Sequence, residues 1–184
     1  MMESLTPTPC PGCGLVRPPD AGPSHDAMRS SPGCWKTFTE VLGREYGDPD
    51  RWAVHALTVD SWGAQHPGKP SAKNARLIGG QLLGLALVLE RGVAPEDAGR
   101  KRRTVLDRLG DGLVWLAPPD LAGAPTVAEV AAARDTVSHV EAVHRWARGV
   151  WQKWEPHHDT LRRWLDWLEA ASPPGFLPPA VGRD

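Results

Sequence analysis

Apolar residues recur every three or four positions through most of this chain, and that spacing predicts helices. The clearest stripe lies between about 136 and 155 and consists of Val140, Val143, Ala147, Trp151 and Trp154. The alternation of apolar and polar residues that marks a half-buried strand is almost absent. The pattern therefore predicts a mainly α protein, built as a compact bundle of about five to six helices.

Proline, glycine and hydroxyl-bearing residues mark the ends of the predicted helices. Ser31 followed by Pro32 is typical of a helix start, and Gly47-Asp48-Pro49 is typical of a helix end. The predicted helices cover about 32–46, 49–64, 71–90, 95–109, a short stretch after the capping-box pattern at 126–129, 136–155 and 157–171. A loop rich in glycine, proline and aspartate at 110–125 separates the predicted helix at 95–109 from the short helix after it. This loop contains a short extended piece at 113–116.

The first and last segments of the chain lack this helical spacing. Residues 1–33 are rich in proline, serine and glycine, and such a segment becomes ordered only when it binds a metal or docks onto the rest of the protein. The proline-rich residues 173–184 predict a loose tail. We therefore expect one domain over residues 1–172, in which a cysteine-rich lobe (1–33) precedes a helical body (34–172).

Charge and hydropathy exclude several classes of protein. The 184 residues carry a formal net charge of −1, so no overall field attracts the chain to nucleic acid or to a membrane surface. The basic run 100–103 is more typical of a solvated helix face than of a nucleic-acid site. The most apolar segment, 77–89, is shorter than the roughly 20 residues that a membrane span needs. The start of the chain lacks the pattern of a secretory signal, so we expect a cytoplasmic protein. From its charge and hydropathy we expect no membrane or nucleic-acid partner.

All three cysteines of the chain, Cys10, Cys13 and Cys34, fall within its first 34 residues. The Pro-Gly turn between the first two can fold both sulfurs toward one ion. Cys34 falls in the first turn of a predicted helix, where free backbone N–H groups favour the thiolate. An odd number of cysteines and the absence of a signal favour metal thiolates over disulfides. We predict a zinc site that contains all three cysteines.

A zinc site normally has four ligands, and the sequence leaves the fourth one open. His25 is our preferred ligand because it lies between the cysteines along the chain. His66, His55 or a water molecule are the alternatives. Three thiolates and one imidazole would form a closed structural site, whereas a bound water would allow the metal to act in catalysis.

Four polar residues outside the cysteine lobe are candidate catalytic residues: Asp60, His66, His55 and His144. Asp60 beside a histidine can orient an imidazole for acid–base chemistry or support a metal ligand. His144 interrupts an apolar stripe, whereas His139 is expected at the surface. Three of the four also have a structural interpretation, in which Asp60 and His66 lock a helix end and His144 is hydrogen-bonded in the core.

Six short motifs, taken in order, resemble a bacterial family that is known only as a domain of unknown function. They are Cys10-Pro-Gly-Cys-Gly14, Gly22-Pro-Ser-His25, Ser31-Pro-Gly-Cys-Trp35, His55-Ala-Leu-Thr-Val-Asp60, Gln65-His-Pro-Gly68 and Val150-Trp-Gln-Lys-Trp-Glu-Pro-His-His158. The resemblance spans about residues 10–168 and implies a shared architecture and site, with His25, Asp60 and His66 among the motif residues. It implies no particular reaction.

Two functions fit these residues, and we favour the metalloenzyme, with the interaction module as the alternative. A small-molecule metalloenzyme would use the metal, or a pocket lined by histidine and aspartate between helices, to activate water or a substrate. A zinc-stapled protein–protein interaction module would use the metal only to hold the fold, and its tryptophans would face a partner. Convergence of the candidate residues on one pocket favours the enzyme. A closed metal site with dispersed candidates favours the interaction module.

Overall fold

Eight helices build the part of the chain that the structure, a computed structural model, describes: residues 7–18, 20–25 and 27–169. They are α1 (Pro32–Tyr46), α2 (Pro49–Trp52), α3 (His55–Gln65), α4 (Ala72–Leu89), α5 (Pro95–Leu109), α6 (Val127–Ala131), α7 (Thr136–Lys153) and α8 (His158–Glu169). Short 3-10 turns follow α5 at Gly110–Gly112 and α7 at Glu155–His157. No strand forms within these ranges, so the mainly α prediction is confirmed. The predicted tail at 173–184 and residues 1–6 of the lobe lie outside them.

Two long helices start close to their predicted first residues, and each is capped by a serine. The hydroxyl of Ser31 accepts a hydrogen bond from the backbone N–H of Cys34 (3.2 Å), and that of Ser71 accepts one from the N–H of Asn74 (3.1 Å). The first N–H groups of a helix have no partner within the helix, so these bonds fix where α1 and α4 begin. The cap of α1 also fixes the position of Cys34 in its first turn.

The segment predicted as one helix over 49–64 is divided into α2 and α3. Asp48 caps α2 by accepting a hydrogen bond from the N–H of Asp50 (3.0 Å). The backbone then leaves helical geometry at Val54 (φ −105°, ψ 2°), whose N–H donates to the carbonyl of Arg51 in a tighter turn. Val54 is buried there, whereas Trp52 stays exposed. Two shorter helices, with the buried Val54 between them, thus replace the predicted long helix.

α4 is the central helix of the bundle. Its residues Leu82, Leu83 and Leu85 are completely buried, which is typical of a helix that is covered on most sides. α3, α5, α7 and α8 all pack against it, and α3 also packs against α7. Among the described helices, none combines the length and the hydropathy that crossing a bilayer requires.

Two buried tryptophans fasten α7 to the end of α3. The indole N–H of Trp146 donates to Oε1 of Gln65 (2.8 Å), and that of Trp154 donates to the carbonyl of Ala64 (3.1 Å). The Gln65 amide donates in turn to the carbonyl of Pro125 (2.8 Å). A buried tryptophan needs such a partner for its N–H group. These bonds therefore fix the carboxyl end of α3, directly before His66.

Two glycines, which we call the glycine notches, make room for polar side chains between α3 and α4. A Cβ on Gly84 would overlap a carboxylate oxygen of Asp60, and a Cβ on Gly63 would lie 2.7 Å from Cδ of Gln81. Each polar side chain thus occupies space that only glycine on the facing helix leaves free. The interface holds a carboxylate and a carboxamide where packed helices usually hold apolar side chains.

Gly84→Ala is expected to destabilise the fold, because the added methyl group displaces Asp60 or separates α3 from α4. Overpacking of this kind costs about 1–3 kcal/mol. Gly43→Ala on α1 is the matched control, since a Cβ there meets no atom within 4 Å and alanine favours a helix by about 1 kcal/mol over glycine. Urea unfolding should show shifts of the midpoint in opposite directions. A Gly84→Ala protein as stable as the control would contradict the packing described.

Candidate metal centre

The first two cysteines lie on a tight turn in the N-terminal lobe. The backbone N–H of Gly14 donates to the carbonyl of Cys10, and the N–H of Cys10 donates to the carbonyl of Leu15, both at 2.9 Å. Gly14 has a positive φ of 75°, which glycine adopts without strain. An antiparallel bridge closes residues 9–16 into a small loop. This loop, the cysteine loop, presents Cys10 and Cys13 on the same side.

The other two side chains of the group come from helix ends. Cys34 lies in the first turn of α1, and His66 directly follows α3. Both are completely buried, and Cys10 and Cys13 are nearly so. The donor atoms of all four residues lie within 4.8 Å of one another. Three sulfurs and one imidazole nitrogen thus converge on one buried point.

The distances in this group fit tetrahedral zinc coordination. Zinc–sulfur bonds of about 2.3 Å place two sulfurs of a tetrahedron about 3.8 Å apart. Sγ of Cys13 lies 3.7 Å from Sγ of Cys34, which in turn lies 3.4 Å from Nε2 of His66. Cys13 and Cys34 are too far apart for a disulfide bond of about 2.05 Å, and all three cysteines are free thiols. The group can therefore hold a metal ion with little rearrangement.

A hydrogen bond determines which nitrogen of His66 faces the sulfurs. Nδ1 lies 2.6 Å from the carbonyl oxygen of Trp62. Because a carbonyl only accepts, Nδ1 carries the proton and donates it to this bond. Nε2 is left with its lone pair on the side of the cysteines. The indole of Trp62 also stacks on the imidazole, with ring centroids 4.3 Å apart. His66 is thus held in the tautomer and orientation that a metal ligand needs.

Close packing fixes the cysteine loop against His66. A Cβ on Gly12 would lie 2.5 Å from Cδ2 of His66 and 2.7 Å from the carbonyl oxygen of Arg29, so only glycine fits there. The N–H of Arg29 donates to the carbonyl of His66 (3.4 Å). The N–H of Ser31 donates to Sγ of Cys10 (3.3 Å), a contact that favours a thiolate. The backbone of the lobe thus closes over the group.

The three sulfurs are too close together to be charged at the same time without a cation. The contact with Cys13 lowers the pKa of Cys10 far below its ordinary value. The contact with Cys10 raises the pKa of Cys13 to about 12, and contacts with both raise the pKa of Cys34 well above its ordinary value. A bound cation would stabilise all three sulfurs as thiolates.

His25 lies outside this group. Its Nδ1 accepts a hydrogen bond from the N–H of Ala27 (3.2 Å), and its ring packs edge-on against Trp35 with centroids 5.3 Å apart. The fourth donor that the structure brings beside the cysteines is His66, whereas the sequence favours His25. The reason is that the end of α3 lies directly beside the cysteine loop, a placement that depends on the packing of the helices and not on separation along the chain.

His55 belongs to a different polar cluster, which is centred on Glu45. This completely buried carboxylate accepts hydrogen bonds from Nδ1 of His55 (2.8 Å), Oγ1 of Thr58 (2.6 Å) and Nε2 of His139 (2.9 Å). Burial raises the pKa of Glu45, but the three hydrogen bonds outweigh burial, so this pKa lies below its ordinary value. The cluster joins α1, α3 and α7 through one ionised side chain.

Asp60 forms an ion pair with Arg102 of α5 inside the bundle. Burial raises the pKa of Asp60 to about 7, although the positive charge of Arg102 acts in the opposite direction. The carboxylate fills the notch at Gly84. Asp60 therefore belongs to the interface of α3, α4 and α5, and it is not part of the metal centre.

His144 lies half-buried on α7. Burial, and then the positive charge of Arg148, lower the pKa of His144. His66 lies in the cysteine group, His55 is bonded to Glu45, and Asp60 is paired with Arg102. The four residues predicted as catalytic therefore lie at four separate places in the structure.

Glu45 is not among the residues predicted from the sequence, and the prediction that His139 lies at the surface is wrong. His139 is almost completely buried, because its imidazole reaches Glu45 across the bundle. A signal for this cluster is present in the sequence. Cys34, Phe38, Val41 and Glu45 follow one another at helical spacing along the buried face of α1. A charged residue on such a stripe indicates a buried, paired carboxylate.

Comparison with known proteins agrees with the predicted resemblance to a family of unknown function. The model of a family described as a family of unknown function, DUF5946, matches residues 8–155. No curated protein and no solved structure matches the chain. The matched residues include the whole group of three cysteines and His66.

We expect the purified chain to contain about one zinc ion. His66→Ala should weaken zinc binding about 100-fold or more, because loss of a residue that merely orients a metal ligand already costs about 10–100-fold. His25→Ala is the matched control and should bind zinc as the unchanged chain does. Competition with a chromophoric chelator measures both affinities. Normal affinity in His66→Ala together with lost affinity in His25→Ala would return the fourth position to His25.

Proposed function

We infer that this chain, which belongs to the DUF5946 family of unknown function, is a zinc-stapled protein–protein interaction module. Its Zn²⁺ is held by four protein side chains and has a structural role. One observation carries the proposal: Cys10, Cys13, Cys34 and His66 are four buried donors within 4.8 Å of one another. Structural zinc sites have four protein ligands, whereas catalytic sites keep one position for water or substrate. A donor set rich in thiolates also favours zinc over magnesium or calcium.

A staple is needed because the cysteine-rich lobe has little other structure to hold it. Residues 7–18 form one isolated bridge and no helix, and a segment of this kind gains too little buried surface to offset its conformational entropy. The metal would connect this segment to the start of α1 and the end of α3. Three free thiols support a reducing compartment such as the cytoplasm.

A small-molecule metalloenzyme is the alternative, and the surroundings of the candidate residues argue against it. His66, as a ligand, has no nitrogen left for acid–base chemistry, since its Nδ1 donates to Trp62. His55 is bonded to Glu45 in a separate cluster. Catalysis by a metal-bound water needs a base or a substrate site beside the metal, and neither His66 nor His55 is arranged to provide that base.

The partner surface that we assign is an aromatic corner formed by Tyr46, Trp52 and His55. Tyr46 is 68% exposed and Trp52 is 46% exposed, yet their rings are in contact, with centroids 5.2 Å apart. The ring of Trp52 stacks on His55 with centroids 4.3 Å apart, and His55 is fixed by its bond to Glu45. Exposed tyrosine and tryptophan side chains that are already ordered are typical anchors of protein interfaces.

Cobalt substitution distinguishes a closed metal site from an open one. The Co²⁺-loaded chain should show the absorption spectrum of a tetrahedral thiolate site, and azide should leave it unchanged because no coordination position is exchangeable. His66→Ala with excess Co²⁺ is the matched control, since its fourth position is open to solvent and azide should shift its spectrum. A shift in the unchanged chain would favour the metalloenzyme.

Replacing both Tyr46 and Trp52 with alanine should abolish partner binding and leave the zinc content unchanged. Loss of an interface anchor typically costs about 2 kcal/mol or more, which is roughly 30-fold in affinity. The full chain serves as bait in a lysate of the source organism, and Val16→Thr, at another exposed apolar residue, is the control. A protein retained equally by the double variant and the control would rule out the aromatic corner as its interface.

A further inference from the structure

A cavity of about 420 Å³ lies where α4, α5 and α8 meet, and none of its described lining residues belongs to the metal centre. Its floor consists of three buried aliphatic side chains, Leu87 of α4, Val105 of α5 and Leu165 of α8. Val93 also lines it, because a turn at Gly92 (φ 64°) lets the N–H of Val93 donate to the carbonyl of Leu87 (2.9 Å). The volume is within the range in which proteins bind small molecules.

Exposed side chains of α5 border the mouth of this cavity. Lys101, Thr104 and Arg108 follow one another at three and four residues, so they lie on one face of the helix. Lys101 and Arg108 are seven residues apart, which is about 10.5 Å along a helix. Between them this face carries the short side chains of Thr104 and Val105. Two long cationic side chains can therefore reach the same point above the cavity.

The basic run 100–103 of α5 is divided among different surroundings. Two of its arginines are already paired with carboxylates, Arg100 with Asp97 and Arg102 with Asp60. Lys101 is the member of the run that borders the cavity. The run is therefore not the continuous basic surface that a nucleic acid would need.

The described residues leave the positive charge at the mouth unbalanced. Neither Lys101 nor Arg108 forms an ion pair with any of them, and no carboxylate is among the described residues that line the cavity. Arg91 lines the side of α4, but its charge is balanced by a pair with Asp166. Two positive charges thus remain at the opening of an apolar cavity, and such an arrangement attracts an anion.

We propose that this cavity binds an aliphatic chain that ends in a phosphate group. The phosphate lies over Thr104, between Lys101 and Arg108, and the chain lies on the aliphatic floor. A phosphate monoester carries a charge of about −1.5 to −2 at pH 7, which matches two unpaired cations, and both ammonium and guanidinium groups bind phosphate in proteins. The described lining contains no aromatic ring on which a planar body could stack, so an aliphatic body fits it better. The proposal goes beyond the zinc-stapled interaction module and does not depend on it.

Hexyl phosphate is the probe that carries both chemical groups. Three matched probes each change one property: inorganic phosphate lacks the chain, hexan-1-ol lacks the charge, and hexanoate carries a single negative charge. Isothermal titration calorimetry on the zinc-loaded full chain measures their affinities. We expect hexyl phosphate to bind most tightly and each matched probe to bind at least about tenfold more weakly. Hexanoate binding as tightly as hexyl phosphate would contradict the phosphate assignment.

The length of the chain tests the apolar floor. Butyl and hexyl phosphate differ by two methylene groups, and burial of each methylene raises affinity about fourfold. We therefore expect hexyl phosphate to bind about 15-fold more tightly than butyl phosphate. An affinity that does not depend on chain length would place the phosphate on the protein surface, outside the cavity, and would contradict the proposal.

Variants of α5 separate the charges of the mouth from the charge of the helix as a whole. Lys101→Gln and Arg108→Gln should each weaken hexyl phosphate about tenfold or more and leave hexan-1-ol unchanged. Arg103→Gln is the matched control, because it removes the same charge from an exposed position of α5 outside the described lining. Thr104→Trp keeps both cations but fills the mouth, so it should abolish binding of hexyl phosphate. All four positions are exposed, so the urea midpoint should change little.

Two further results would overturn the proposal. One is that hexyl phosphate shows no saturable binding at millimolar concentration. The other is that Arg103→Gln weakens it as much as Lys101→Gln and Arg108→Gln do, since the attraction would then belong to the helix and not to the cavity. Either result leaves the interaction module unaffected, because these residues lie outside both the metal centre and the aromatic corner.

Discussion

The meeting of two helix ends at one sulfur–nitrogen contact is the constraint on which the rest of the structure depends. Cys34 opens α1, His66 follows α3, and their donor atoms lie 3.4 Å apart. The end of α3 is fixed from the opposite side by the indole of Trp154, which bonds to its backbone. Assembly of the metal centre and packing of the bundle are therefore linked, because a preformed donor set exists only when the helices are in place.

α3 distributes its polar side chains to separate partners. His55 bonds to Glu45, Asp60 pairs with Arg102, and Gln65 accepts from a tryptophan of α7. An α-helix turns by about 100° per residue, so polar residues at these spacings point to different sides of it. Such a helix connects several neighbours, but it does not gather its polar groups into one active site. The sequence shows the same residues as one dense motif, which is why they resemble a catalytic cluster.

The features that local chemistry determines can be predicted from the sequence, and those that packing determines cannot. The start of α1 at Ser31 and the grouping of the three cysteines follow from capping and turn chemistry. The fourth donor does not, because only the packing of α3 brings His66 beside the cysteine loop. Glu45 and His139 are 94 residues apart in the chain, so no local pattern joins them. The limits of the domain at 1–172 stay a prediction.

The glycine notches make positions on facing helices depend on each other. A side chain at position 84 is compatible with the fold only when position 60 carries something shorter than aspartate, and position 63 is tied to position 81 in the same way. In related sequences, substitutions within each pair are thus expected to occur together. A single substitution in either pair gives a protein in which the two facing positions no longer fit. The polar side chains of this interface can therefore be replaced by apolar ones only when both positions of a pair change.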